Sequence, residues 1–244
     1  MNKIQEKEIS PLRLIFAPKN LETLKIAENC LSMNSSILNH QKNLTMIEYE
    51  KGLTSFISYF PNYCNHLCSG ALNQINTIRI MSRYVALQEN VFSHFESLQV
   101  VEFGDATRIL IIPKNAFLGC KNLQKISIPS LCFTIEEAAF KGCSSLKSVV
   151  FKSNKNLKYI RKEAFCNCSA LASIEIPTSV SVICEGAFMN CEKLEKAEFK
   201  KCKDFESLEA IEKYAFKNCT SLVSFTLPNS CIFVGPACFM NCKA

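Results

Sequence analysis

Tryptophan is absent from this chain of 244 residues, glycine occurs only 7 times and histidine 3 times. So few glycines leave no Gly-rich loop to cradle phosphate, and neither an HExxH nor a GxSxG sequence occurs. The histidines, His40, His66 and His94, lie in different parts of the chain, and each reads as a surface or turn residue. Without a catalytic constellation the chain is not expected to be an enzyme or to carry a cofactor. Long apolar runs are missing as well, since nothing approaches the ~18 consecutive residues that cross a bilayer. Met1 to Ser10 is charged and has no apolar core, so neither a secretory signal nor an anchor is expected there. The charge excess is modest, +6 at neutral pH with a pI near 8.6. Lys114, Lys121, Lys141, Lys162, Lys193, Lys213 and Lys217 are scattered among acids, with no arginine cluster and no interleaved aromatics. That pattern reads as a solvated face and not as a nucleic-acid site.

What the chain has in excess is phenylalanine (18) and cysteine (15), and both recur in one frame. The frame is a small residue, Phe, two residues, Cys, two residues, Leu, two residues, an apolar residue, one residue, and another apolar residue. It is read at Ala116-Phe117/Cys120/Leu123, Ala139-Phe140/Cys143/Leu146, Ala164-Phe165/Cys168/Leu171, Ala187-Phe188/Cys191/Leu194 and Ala215-Phe216/Cys219/Leu222, and it begins again at Cys238-Phe239/Cys242. A repeat of this length with Leu-xx-apolar-x-apolar at its heart predicts a leucine-rich-repeat solenoid. Counting the residue that opens each strand extends the array through Leu21, Leu44, Ile75 and Leu98, at steps of 23 to 31 residues. The first three units lack the signature, with Gln41 and Leu72 where Cys is expected, and the fourth substitutes Val91-Phe92 and Phe95. The expected organisation is an N-terminal extension or cap over residues 1–11, atypical repeats over 12–89, and regular repeats over 90–244 with the last one truncated.

Each consensus position has a physical task. In Leu171-xx-Ile174-x-Ile176 the last two apolar residues point to one side of a short strand and Glu175 to the other. Pro129, Pro177 and Pro228 follow strands, where a missing donor ends the ladder. Cys132/Ile135, Leu157/Ile160, Val180/Ile183 and Leu208/Ile211 return the chain to the core. The spacing of Phe188, Cys191 and Leu194 predicts a short helical or 3₁₀ turn on the outer wall, with the Phe residues stacked into an apolar spine. The expected fold is therefore an α/β repeat solenoid: an arc with a parallel β-sheet on one face and short helical, 3₁₀ or irregular segments on the other. Its outward strand residues run Lys25, Glu48, Arg79, Glu102, Ser127, Val150, Glu175, Glu198 and Thr226. Those from Arg79 to Thr226 are the candidate partner-binding face.

Cysteine in this number suggests disulfides or metal. Cys120, Cys143, Cys168, Cys191, Cys219 and Cys242 share one repeat position that wants a small buried side chain, so they read as reduced core thiols. Cys64-Asn65-His66-Leu67-Cys68 has three potential ligands, but no second pair follows at zinc-finger spacing. In Cys166-Asn167-Cys168 the second cysteine already belongs to the core, so Cys166 is expected to face elsewhere. No metal site is assigned. Asn34, Asn43, Asn167 and Asn218 fit the short N-glycosylation pattern.

The stretch from Ala164 to Val180, Ala-Phe-xx-Cys-xx-Leu-xx-Ile-x-Ile-Pro-x-Ser-Val, resembles the BspA-type leucine-rich repeat of bacterial and protist surface antigens. The resemblance is specific from about residue 90 onward. It implies an adhesin or surface-antigen role, displayed at the cell surface and exercised by binding another protein. The absence of a signal or anchor in these residues favours an intracellular scaffold or structural protein instead, so both readings stand. The chain stops where a further strand should begin, and strand Leu222–Leu227 is expected to keep an open edge for docking or self-association.

Overall fold

The structure is a computed structural model that describes residues 8–9, 22–26, 43–49, 74–81, 86–93, 95–153, 155–199 and 207–243. Alternation of apolar and polar residues over four positions builds a first wall of short parallel strands. These are β2 (Thr23–Ile26), β3 (Met46–Tyr49), β4 (Thr77–Ile80), β5 (Val100–Phe103), β7 (Lys125–Ile128) and β9 (Ser148–Phe151), preceded by β1 (Glu8–Ile9) at the sheet's edge. β11 (Ser173–Ile176) and β13 (Lys196–Phe199) form a separate parallel pair. The register aligns one repeat with the next: Ile47 opposes Ile78, Ile78 opposes Val101, and Val101 opposes Ile126. All four are buried.

The second wall is a six-stranded parallel sheet of two-residue strands. It runs through β6 (Ile111–Ile112), β8 (Thr134–Ile135), β10 (Tyr159–Ile160), β12 (Val182–Ile183), β14 (Ala210–Ile211) and β15 (Phe233–Val234). Ile112, Ile135, Ile160, Ile183 and Ile211 point inward and are fully buried.

The third wall is where the structure departs from the expected helical or 3₁₀ turn: among the described residues there is no helix, only stacked turns. Two left-handed residues in each unit explain this, because a helix cannot contain them. One precedes the small residue: Asn90, Asn115, Ala138, Glu163, Gly186, Tyr214 and Ala237, with φ between 53° and 60°. The other stands two residues after Phe: Gly119, Gly142, Asn167, Asn190, Asn218 and Asn241, with φ between 60° and 77°. The kinked backbone turns alternate N–H groups toward the following repeat. Asn115, Phe117 and Gly119 donate to the carbonyls of Glu137, Ala139 and Lys141 at 3.0, 2.7 and 2.8 Å. The wall is thus bonded along the solenoid axis and not within a helix.

Inside, the phenylalanines stack as expected. Ring centroids from Phe92 through Phe117, Phe140, Phe165, Phe188 and Phe216 to Phe239 lie 5.0 to 5.4 Å apart. Beside them runs the thiol column. Cys143 Sγ donates to Phe117 O at 3.2 Å, and Cys120, Cys168, Cys191, Cys219 and Cys242 donate in the same way to the Phe of the preceding unit. In the regular repeats each Phe carbonyl also accepts the N–H of its own repeat's Cys, as Cys143 N does to Phe140 O at 3.1 Å, and Phe92 O accepts from Phe95 N instead. The cysteine position is therefore a buried donor site fitted to a carbonyl. The eleven described cysteines are all free. Burial pushes the thiols up: Cys120 and Cys219 to about 12, and Cys143, Cys168 and Cys191 well above their ordinary value. Cys166 is buried outside this column, near Lys141 and Glu163.

The expected strand Leu222–Leu227 is not formed. Ser224 makes a single bridge to Lys196, and Leu227, which the pattern turned inward, is exposed. Phe225 keeps the inward position and meets the Phe216 and Phe239 rings at 5.1 and 5.2 Å.

Candidate interaction surface on the strand wall

A strand with one apolar face inward must present the other face outward. The wall carries two outward columns, one of which holds the candidate residues. Register aligns Lys25, Glu48, Arg79 and Glu102 across β2 to β5, Ser127 with Val150 across β7 and β9, and Glu175 with Glu198 across β11 and β13. Thr226 is exposed but lies outside any described strand. The structure thus brings Arg79 and Glu102 together as neighbours, Ser127 and Val150 likewise, and Glu175 and Glu198 likewise, while Thr226 stands apart.

Charge divides this column into unlike parts. Arg79 Nε donates to Glu102 Oε2 at 2.6 Å, and its guanidinium also lies 3.9 Å from Glu48 Oε2. The arginine is therefore held by its two strand neighbours and is not presented freely. The middle is nearly uncharged, with Val150 40% exposed. Glu175 and Glu198 form two exposed carboxylates on adjacent strands, and neither has an ion-pair partner among the described residues. Like charges directly opposite each other across a ladder repel, so this pair favours a cation brought from outside. At the rim, Lys152 Nζ donates to Asp105 Oδ1 at 2.8 Å, and this bond holds the Asp105 carboxyl below its usual range.

The wall lysines behave differently. Lys114 pairs with Glu137 at 3.1 Å, Lys141 with Glu163 at 2.6 Å, and Lys162 and Lys213 with Glu185 at 3.4 and 3.5 Å. Lys217 lies over the Tyr214 ring at 5.0 Å. The four ion pairs bind one repeat to the next, and the Lys217–Tyr214 contact lies within one turn. Among the described residues no group of three or more His, Cys, Asp or Glu could hold a metal ion. Cys64, His66 and Cys68 lie outside the described residues, as do His40, His94 and Asn34.

Sequence reasoning missed a feature of the turn wall. Asn190 Nδ2 donates to Asn167 Oδ1, Asn218 to Asn190, and Asn241 to Asn218, each at 2.7 Å, forming a side-chain ladder over four repeats. The signal was available in the residue before each cysteine, which is Gly or Asn in every regular repeat. Of the four glycosylation-pattern asparagines, Asn218 has its Nδ2 engaged as a donor in this ladder, whereas Asn167 enters it only as an acceptor through Oδ1.

Comparison with known proteins places these features in a family. The family described as BspA type leucine rich repeat region matches with six copies, over residues 13–94, 68–195 and 110–244. Among solved structures, a leucine-rich repeat protein from Eubacterium ventriosum aligns over 92% of this chain and 59% of its own length, at 19% identity and a TM-score of 0.56. This likeness carries the solenoid fold, and the chain spans less than two thirds of that relative. The pneumococcal vaccine antigen PcpA is 33% identical over 49% of this chain and 28% of its own, with a TM-score of 0.45. A leucine rich cell surface protein from Faecalibacterium prausnitzii is 20% identical over 91% and 76%, with a TM-score of 0.40. The curated proteins contain no match.

Proposed function

This chain belongs to the BspA-type leucine-rich-repeat family, whose repeats generally serve protein interaction, and from that premise we propose that it is a non-catalytic module binding a protein partner through its strand wall. The observation that carries the reading is the Glu175–Glu198 pair: two exposed, register-matched carboxylates with no ion-pair partner among the described residues. They favour a partner segment bearing lysine or arginine, a contact worth most where the pair is desolvated on binding. Replacing both with lysine is expected to weaken partner binding about tenfold or more while the thermal midpoint holds, because both side chains are outward. Unchanged binding by the double variant in a pull-down or calorimetric titration assigns the contact to another wall.

The sharper form of this reading is a surface antigen or adhesin, supported by the family to which the chain belongs. A second reading, an intracellular scaffold, is favoured by the free, protonated thiols of the core, which suit a reducing compartment. Antibody labelling of intact and permeabilised source cells separates the two. Signal on intact cells supports display, and signal only after permeabilisation supports the scaffold. Self-association is a further partner reading, supported by the exposed Leu227, Ile232 and Phe233 of the last described repeat.

A further inference from the structure

The outward charges of the strand wall are sorted by sign along the solenoid. From Lys25 to Glu102 the signs alternate from strand to strand, and Arg79 is held between Glu48 and Glu102. Over β7, β9 and the turns that lead into them, the only charged side chains are Lys121, Lys125 and Lys147, all exposed. Over β11, β13 and their leading turns, Glu175, Glu192, Glu195 and Glu198 are exposed and outnumber Lys193 and Lys196. None of the three lysines of the first sector or the four glutamates of the second has an ion-pair partner among the described residues.

The two sectors do not neutralise each other within one chain. β11 packs beside β9, so β7 and β13 stand three strand spacings apart, about 14 Å, beyond the ~8 Å over which physiological salt screens exposed charges. Lys147 and Glu175 lie on neighbouring strands but three positions apart along them, about 10 Å. Between the sectors the surface is uncharged and its side chains are short, with Ser127, Ser148, Ala172 and Ser173, while Val150 is 40% exposed. A patch with an uncharged centre and a charged rim has the layout of a protein interface.

We propose that the strand wall from Lys121 to Glu198 is a self-complementary interface whose partner is a second copy of this chain, turned so that the lysine sector of each faces the glutamate sector of the other. This rests on the strand wall being the binding wall, and it names the occupant. A twofold axis parallel to the strands and running between β9 and β11 lays β9 of one copy over β11 of its partner, and β7 over β13. By the repeat frame Lys121 then stands at the height of Glu192, and Lys125 between the heights of Glu195 and Glu198, with Lys196 the like charge opposite it. A basic partner satisfies the glutamates and leaves the lysines bare, whereas a second copy satisfies both sectors in one isologous contact.

Sedimentation equilibrium of the full chain tests this. The expected result is a reversible monomer–dimer equilibrium that weakens about tenfold or more as salt rises from about 0.1 M to about 1 M, where the screening length falls from ~10 to ~3 Å. The double variant Lys121→Glu, Lys125→Glu and the double variant Glu192→Lys, Glu198→Lys should each associate about tenfold or more weakly than the parent chain, with thermal midpoints held because all four side chains are outward. An equimolar mixture of the two should recover the dimer, since the reversed sector of each then faces the opposite charge on the other. The proposal is overturned if the parent chain stays monomeric, if association persists in both double variants, or if the mixture fails to recover it. A monomeric parent chain overturns it even where reversal of Glu175 and Glu198 weakens capture of a different protein, and the strand-wall reading then stands without it.

Discussion

At the scale of the residue, each consensus position is defined by the bond it makes to the next repeat. Phenylalanine fills the centre because a flat ring stacks on its own copies at about 5 Å, near the spacing of adjacent strands. Phe188 has a ring on each face, Phe165 at 5.3 Å and Phe216 at 5.1 Å. Phe188→Ala is expected to cost about 3–5 kcal/mol, measured by chemical denaturation, because the stack keeps its spacing and cannot collapse into the void. A cost under ~1 kcal/mol would show that the rings contribute little beyond filling space. The thiols add a pH dependence. Unfolded cysteine deprotonates near its ordinary value of 9.0, whereas Cys120 and Cys219 in the fold hold their protons to about 12. The folded state therefore binds protons more tightly, so this contribution is intact below about pH 9 and is lost as the pH rises toward 12. Thermal midpoints recorded across that window should fall, and serine at the column positions should flatten the fall.

At the scale of the element, the four-residue strands of the first wall were legible in the sequence, except at Leu222–Leu227, while the second sheet and the turns were not. Ile174 and Ile176 are two residues apart and buried, with Glu175 outward between them, so periodicity was enough for β11. The turn segment has an apolar spacing of three that a helix also satisfies. What decides it is the left-handed Gly or Asn before each cysteine, a feature carried by backbone torsion and not by hydrophobic pattern. Asn serves this position doubly, tolerating the torsion and linking repeats through its amide. Asn190→Ala, measured by denaturation, should cost about 1–2 kcal/mol through the torsion, with the lost ladder bonds in addition. Asn190→Gly should cost less, since only the ladder bonds are lost. Equal costs would show that the ladder, and not the torsion, holds the turn. The position before the small residue is less selective, accepting Ala138, Glu163 and Tyr214 in the left-handed region. Its N–H donates to the neighbouring repeat, as Ala138 does to Lys162 O at 2.9 Å, in the same way as the Gly or Asn position does, so this bond does not itself select the residue type.

At the scale of the whole molecule, the solenoid is a sum of like joints: the second wall runs in one parallel order from β6 to β15, and the rings and the turn wall carry the same stack beside it. The strand wall gains its character from where the repeats differ. Arg79 is satisfied by Glu48 and Glu102, whereas Glu175 and Glu198 have no ion-pair partner among the described residues.

The sequence by itself determined the repeat, the identity of the inward residues and the list of outward ones, because those follow from spacing along a chain whose units are copies. Tertiary structure decided what spacing does not encode. It turned an expected helical turn into a bonded wall of turns, left Leu222–Leu227 with a single bridge in place of a strand, paired one strand-wall charge and left two others without an ion-pair partner among the described residues. Each of these depends on what the adjacent repeat offers at the same height, and that is a relation between residues 23 to 31 positions apart that no local pattern contains.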